Sequence, residues 1–255
     1  MIRIIRPAVI PKKLKNDGPG LTKANNKAFH DDAAKFLKDL KIKTAVYGAK
    51  SVKKALKKAQ HNKCCFCEKE QVDEYGAVEH FRPKKGYKID RKQKKMTKPG
   101  YFWLAYDWSN LFFVCGRCNT SFKGNLFPLK DDLKRAKSHK DNVADEVPLL
   151  LDPTGSGVMD PESHIYFKDQ FVMYHSEFGQ ATIDICGLDR DELNNKRAKL
   201  IKDIEARIWI LSAQDSHTPL QVQSAKNYLR NCQTESAEFS SVAKNYLSQF
   251  NIVTT

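Results

Sequence analysis

Two Cys-x-x-Cys pairs, Cys64/Cys67 and Cys115/Cys118, bracket an adjacent acid and histidine, Glu79-His80. Four thiolates on two such turns make a closed tetrahedral set of the kind Zn2+ favours. The long separation between Cys67 and Cys115 exceeds that of a compact finger, so a zinc there clamps two distant segments together. In the run CCFC only Cys64 and Cys67 have the paired spacing; Cys65 reads as a spare. Cys186 and Cys232 sit in apolar periodic surroundings and read as core. A zinc with four sulfur ligands has no open position for water, so it holds structure, and any reactive group lies elsewhere.

Glu79-His80 is the candidate for that group. Adjacent residues on an extended strand face opposite sides and can do different work. A neutral imidazole takes a proton from water. A carboxylate beside it holds a hard divalent cation, Mg2+ or Mn2+, that shields a phosphate and stabilises a leaving oxygen. A second oxygen ligand must come from across the fold. Asn119, at the start of the helix expected after the second Cys pair, is placed to supply it. Arg82, Lys84, Arg117 and Lys123 are near enough in sequence to contact flanking phosphates, with ordinary surface charge an equal alternative for each. Taken alone, Glu-His is a weak signal, and His80 has a competing reading as a stray zinc ligand. The ordered set carries the weight: C-x2-C, Glu-His-Phe-x-Pro-Lys, Asn-Leu, C-x2-C-Asn, Lys.

The surrounding composition suits a polyanionic partner. Among 255 residues, 44 Lys and Arg stand against 30 Asp and Glu, a formal charge of +14. Such an excess favours nucleic acid through counterion release, with an acidic membrane surface a weaker alternative. No apolar run approaches the ~20 residues that span a bilayer, and charges and prolines interrupt the opening MIRIIRPAVIPKK, which lacks a signal-peptide core. Seven cysteines, four of them in paired spacing, suit metal thiolates in a reducing cytoplasm better than a disulfide framework.

The elements that must position these residues read as an α+β chain. Residues 1–27 read as an extended arm anchored at Ile4 and Ile5. Ala33, Phe36, Leu37 and Leu40 mark a helix, and Val52, Ala55, Leu56 and Ala59 mark another at about 50–61 with Lys53, Lys54, Lys57 and Lys58 on its other face. The basic stretch 84–98 reads as a loop, and the aromatic segment Tyr101–Trp108 as core. Residues 130–146 are charged and expected to be helical. Ile165/Phe167, Phe171/Met173 and Ile183/Ile185 alternate as short strands, with Lys168-Asp169-Gln170 as a hairpin tip. Asp189 with Glu192 suggests a capping box, Thr218-Pro219-Leu220-Gln221 opens a further helix, and Phe239 to Phe250 supply a last one. The divisions are 1–60, a basic N-terminal arm and helices; 61–130, the metal-bearing core; 131–187, a mixed extension; and 188–255, a C-terminal helical region.

The order VEHFRPK (78–84) then DWSNLFFVCGRCNTSFKGNLFPL (107–129) resembles the zinc-containing HNH (ββα-metal) endonucleases. The resemblance implies a zinc-stabilised ββα-metal core, with Glu79 a Mg2+ ligand, His80 the general base, Asn110 a brace for the loop and Asn119 the second metal ligand. It also implies a 5′-phosphate product. The departure is Asn119, where the family often has His; its carbonyl oxygen still suits a hard metal, so altered metal preference is expected rather than lost activity. LLLDP (149–153) and ICGLDRDELNNKRAKLI (185–201) extend the likeness to PtuB-type HNH proteins of Septu and retron anti-phage systems. That likeness implies a PtuA-like ATPase partner and, in retron systems, a reverse transcriptase and its msDNA. The expectation is a DNA endonuclease, with RNA, tRNA included, as the second substrate. The alternatives are a non-catalytic zinc-containing module that binds nucleic acid or the ATPase, and an adaptor built on a decayed nuclease core.

Overall fold

A short antiparallel hairpin organises the chain: β1 (Gly76–His80) and β2 (Leu111–Cys115), with Gly76 opposite Cys115 and His80 opposite Leu111. The computed structural model describes residues 1–71 and 76–250. Every residue of β2 is buried, and from Leu111 to Val114 its side chains alternate between two apolar clusters. Leu111 and Phe113 face Leu14, Val46, Val52, Leu56 and Tyr106. Phe112, Val114 and Cys115 face the larger cluster, which reaches to the C-terminal helices. Such period-two burial on both faces explains the unbroken LFFVC run. At the start of β1, a Cβ on Gly76 would lie 2.2 Å from the Phe113 ring, so only glycine lets the strands close there.

The first cluster is covered by α1 (Lys12–Asp31), α3 (Thr44–Tyr47) and α4 (Lys50–Ala59), while α2 (Ala33–Asp39) packs its Phe36 on the larger cluster. Residues 12–27 are therefore helical, not the extended arm the sequence suggests. Pro19 lies inside α1, which costs a helix about 3 kcal/mol. Burial of Leu14 and close packing of Gly18 on Tyr106 offset that cost, and both are tertiary effects. The preceding arm anchors at Met1, Ile2 and Ile4, whereas Ile5 is 74% exposed. The α4 stripe is as expected, and Lys53 and Lys57 lean over the Phe113 ring.

Residues 84–98 form a loop pinned by a bridge between Tyr87 and Thr97. Arg91 of this loop donates to the carbonyls of Phe122 and Asp184, at 2.9 and 2.7 Å. The Tyr101–Trp108 aromatics are largely core, as expected. Residues 130–146 are not a helix; they carry single 3-10 turns at Asp132–Lys134 and Val143–Asp145. Here Asp131 and Asn142 bond the backbone two residues ahead, a local alternative to helix propagation.

Beyond them come α5 (Pro161–His164), a second hairpin of β3 (Ile165–Lys168) and β4 (Phe171–Tyr174), and the helices α6 (Glu177–Cys186), α7 (Asp191–Ser212), α8 (Pro219–Asn231) and α9 (Ser240–Leu247). Ile183 and Ile185 lie in α6 and not in a strand. The Ser176 cap and a left-handed stop at Gly187 outweigh their alternation. The Asp189–Glu192 box does not form: α7 starts at Asp191, with Glu192 drawn to Lys69 at 2.8 Å. The Thr218–Gln221 box does form, with Pro219 at the first helical position. Among the described residues, no helix is long and apolar enough to cross a membrane.

Candidate metal centre and hydrolytic recess

The two proposed sites occupy opposite ends of the β1–β2 hairpin. At one end, Cys115 closes β2 and Cys118 lies in the π-helical segment Arg117–Lys123. Cys64 and Cys67 come from the turn after α4, held by Cys64 N donating to Lys69 O and Glu68 N donating to Cys64 O. All four sulfurs lie within 4.8 Å of one another and are buried. The Cys67–Cys115 sulfur separation is 3.8 Å, matching the tetrahedral edge of about 3.8 Å that Zn–S bonds near 2.3 Å require. This cluster suits a structural metal such as zinc. Hydrogen bonds from the other sulfurs drive the Cys115 thiol far down, while burial pushes Cys64 up and a bond to Cys115 pushes Cys118 up. Four adjacent sulfurs cannot all ionise without a cation among them. Cys65 lies outside the cluster, buried, with its thiol pushed up by burial. Cys186 and Cys232 are core residues, as expected.

A contribution that spacing did not reveal comes from Arg190. Gly187 turns the chain at φ +57, against the Phe122 ring, and aims Arg190 back at the sulfurs. Its Nη1 donates to Cys118 Sγ at 3.5 Å and to Gly187 O at 2.7 Å. A guanidinium beside thiolates balances charge that burial would otherwise penalise. Arg190 was legible only as part of the 185–201 likeness, with no role attached.

At the other end of the hairpin, a recess of about 320 Å³ is lined by Glu79, His80, Lys84, Asn119 and Asn125. His80 is 1% exposed. Its Nε2 lies 2.9 Å from the Ala105 carbonyl oxygen, which can only accept, so Nε2 carries the proton. Lys84 Nζ, which can only donate, lies 3.2 Å from Nδ1, so Nδ1 presents a lone pair. Both partners therefore require the neutral imidazole. Burial, then the Lys84 charge, holds its pKa well below the ordinary histidine value. Tyr47 packs edge-on against the ring at 4.6 Å.

Glu79 is held by Lys123, whose Nζ donates to Oε1 at 2.7 Å and to the His80 carbonyl at 2.9 Å. Lys123 is fully buried, so it braces the acid and does not sit where a phosphate contact would. Arg82 is similarly engaged: its Nε pairs with Glu146 at 2.9 Å, and its guanidinium lies over Phe81, Tyr101 and Phe127. Arg117 remains at the surface, its side chain 65% exposed and 3.7 Å from Glu192. Asn110 ties the turn after His80: Oδ1 accepts from Arg82 N at 2.8 Å, and Nδ2 donates to Arg82 O and Leu104 O. The sequence therefore brings Glu79, His80, Lys84 and Asn119 to one recess, with Asn110 behind it.

No family model matches the chain. It is similar to the Septu protein PtuB of Bacillus mycoides (strain KBAB4), 41% identical over 195 residues that make up 73% of this chain and 64% of that protein. It is also similar to the Septu protein PtuA of the same strain, 26% identical over 166 residues, or 65% of this chain and 23% of PtuA. The chain thus spans under two thirds of the length of PtuB and under a quarter of that of PtuA.

Proposed function

We propose that the chain is an HNH-type endonuclease that hydrolyses nucleic-acid phosphodiester bonds within a Septu anti-phage system. The observation that carries this reading is the geometry of His80. One ring nitrogen is committed to a backbone carbonyl, and the other turns its lone pair into the recess that Glu79 and Asn119 share. His80 takes a proton from the attacking water at Nδ1, Asn110 and Ala105 hold the ring and its turn, and Lys84 meets a phosphate oxygen. Glu79 and Asn119 would hold a divalent cation, Mg2+ or Mn2+, whose chemistry when bound would be charge stabilisation on the phosphate and the departing oxygen. The Cys64, Cys67, Cys115 and Cys118 cluster holds the structural zinc.

The likeness to PtuB, at 41% identity, supports this cellular setting. DNA is the first substrate, with tRNA and other RNA second, and a PtuA-like ATPase is the partner. Retron reverse transcriptase and msDNA belong to the related systems and are secondary candidates. The test incubates purified protein, alone and with the ATPase, with plasmid DNA and total tRNA in Mg2+. Wild type cleaves at least one substrate and His80→Ala leaves it intact. If neither protein cleaves while both bind, the chain is a binding module instead.

A further inference from the structure

The recess carries the wrong charge to attract a bare dication. Among the described residues that line it, Glu79 is the sole carboxylate, and Lys84 is an ammonium. Directly behind Glu79 lies a second ammonium, Lys123, buried and already bonded to the acid at 2.7 Å. Asn119 adds a neutral amide. Two positive charges, one in the recess and one directly behind it, thus oppose a single negative charge where partial burial limits screening. A hard dication is ordinarily held by one or two carboxylates together with substrate phosphates. Here the one carboxylate is already neutralised, so the phosphate has to supply the missing negative charge.

We propose that the recess is a phosphate receptor first, and that its divalent cation enters only in company with the phosphodiester. Lys84 is the switching contact. Its Nζ rests on His80 Nδ1 and over the Tyr47 ring at 4.8 Å, both weaker partners than an anionic oxygen. A phosphate in the recess draws the ammonium away, which frees the Nδ1 lone pair at the moment substrate arrives. Lys123 stays in place and keeps one carboxylate oxygen of Glu79 fixed, leaving the other for the cation. The base is thereby masked until a phosphodiester is bound, and the site discriminates against free metal. This inference rests on the hydrolytic reading of the recess.

Mn2+ binding, followed by electron paramagnetic resonance on the zinc-loaded chain, tests it. The arms are protein alone, protein with a short phosphorothioate DNA duplex, and that duplex alone as the subtraction. Wild type alone is expected to bind Mn2+ negligibly, and the duplex to raise its affinity at least about tenfold. Lys84→Gln removes one opposing charge from a partly exposed position and is expected to raise affinity for Mn2+ alone by about tenfold, shrinking the duplex effect. One-site Mn2+ binding of equal strength with and without duplex overturns the proposed order while leaving the hydrolytic reading intact. Mn2+ bound in neither arm overturns both.

Discussion

The two ends of the β1–β2 hairpin solve opposite problems with neighbouring residues. At the Cys115 end, four soft ligands converge from two segments and are sealed from solvent. At the His80 end, a carboxylate, an amide and an imidazole line a recess that opens outward. Adjacent residues of the π-helical segment serve the two designs: Cys118 turns into the sulfur cluster, and Asn119 lines the recess. The closed end fixes where that segment starts, and the open end uses what the segment presents. The cysteine cluster therefore has leverage over the recess, since a small shift at the sulfurs would misplace Asn119 and Lys123 together.

That comparison can be broken most severely at the closed end. Cys115→Ser, or stripping zinc with a strong chelator, should unfold the hairpin and its covering helices. A structural zinc contributes on the order of 10 kcal/mol in small domains, comparable to a whole domain's stability of about 5–15 kcal/mol. Circular dichroism and elemental analysis check this, and a folded, zinc-free Cys115→Ser protein would contradict the assignment. His80→Ala should do the reverse. It should keep the zinc and the fold while lowering cleavage by roughly 10²–10⁴-fold, the usual worth of a general base, measured as the rate of plasmid nicking.

A gentler probe of the closed end is Arg190→Gln. Loss of the donor to Cys118 should weaken zinc affinity about tenfold to a hundredfold, read as faster zinc release to a chromogenic chelator. Unchanged release would reduce Arg190 to a packing residue. The smallest effect belongs to pH at the open end. His80 is held neutral by burial and then by Lys84, so its pKa lies below the ordinary value. Activity should therefore persist as pH falls through about 6.5, where an ordinary histidine would protonate. Lys84→Gln removes a charge that opposes protonation, so the acid limb of the pH–rate profile should move upward, by a fraction of a unit. A downward movement would reverse the assigned sign.

Legibility in the sequence followed the range of the interactions. Cysteine spacing pointed to the metal cluster because two short turns fix ligand pairs locally. The α4 stripe and the Thr218–Gln221 cap were equally local. By contrast, α1 was missed because Pro19 is a strong local break, overruled only when Gly18 meets Tyr106 far along the chain. The strand expected at Ile183–Ile185 failed because two residues of alternation cannot compete with a cap at Ser176 and a stop at Gly187.

For the candidate sites, the sequence by itself determined which chemical groups exist and their order: soft ligands, acid–base pair, amide, soft ligands, amide. The tertiary structure decided which charges face one another. It buried Lys123 against Glu79, paired Arg82 with Glu146, and set Lys84 on His80 and Arg190 on Cys118. A long basic side chain reaches several ångströms in any direction, so its sequence position says little about its partner. Only the packed chain fixes which carboxylate, ring or sulfur it finds.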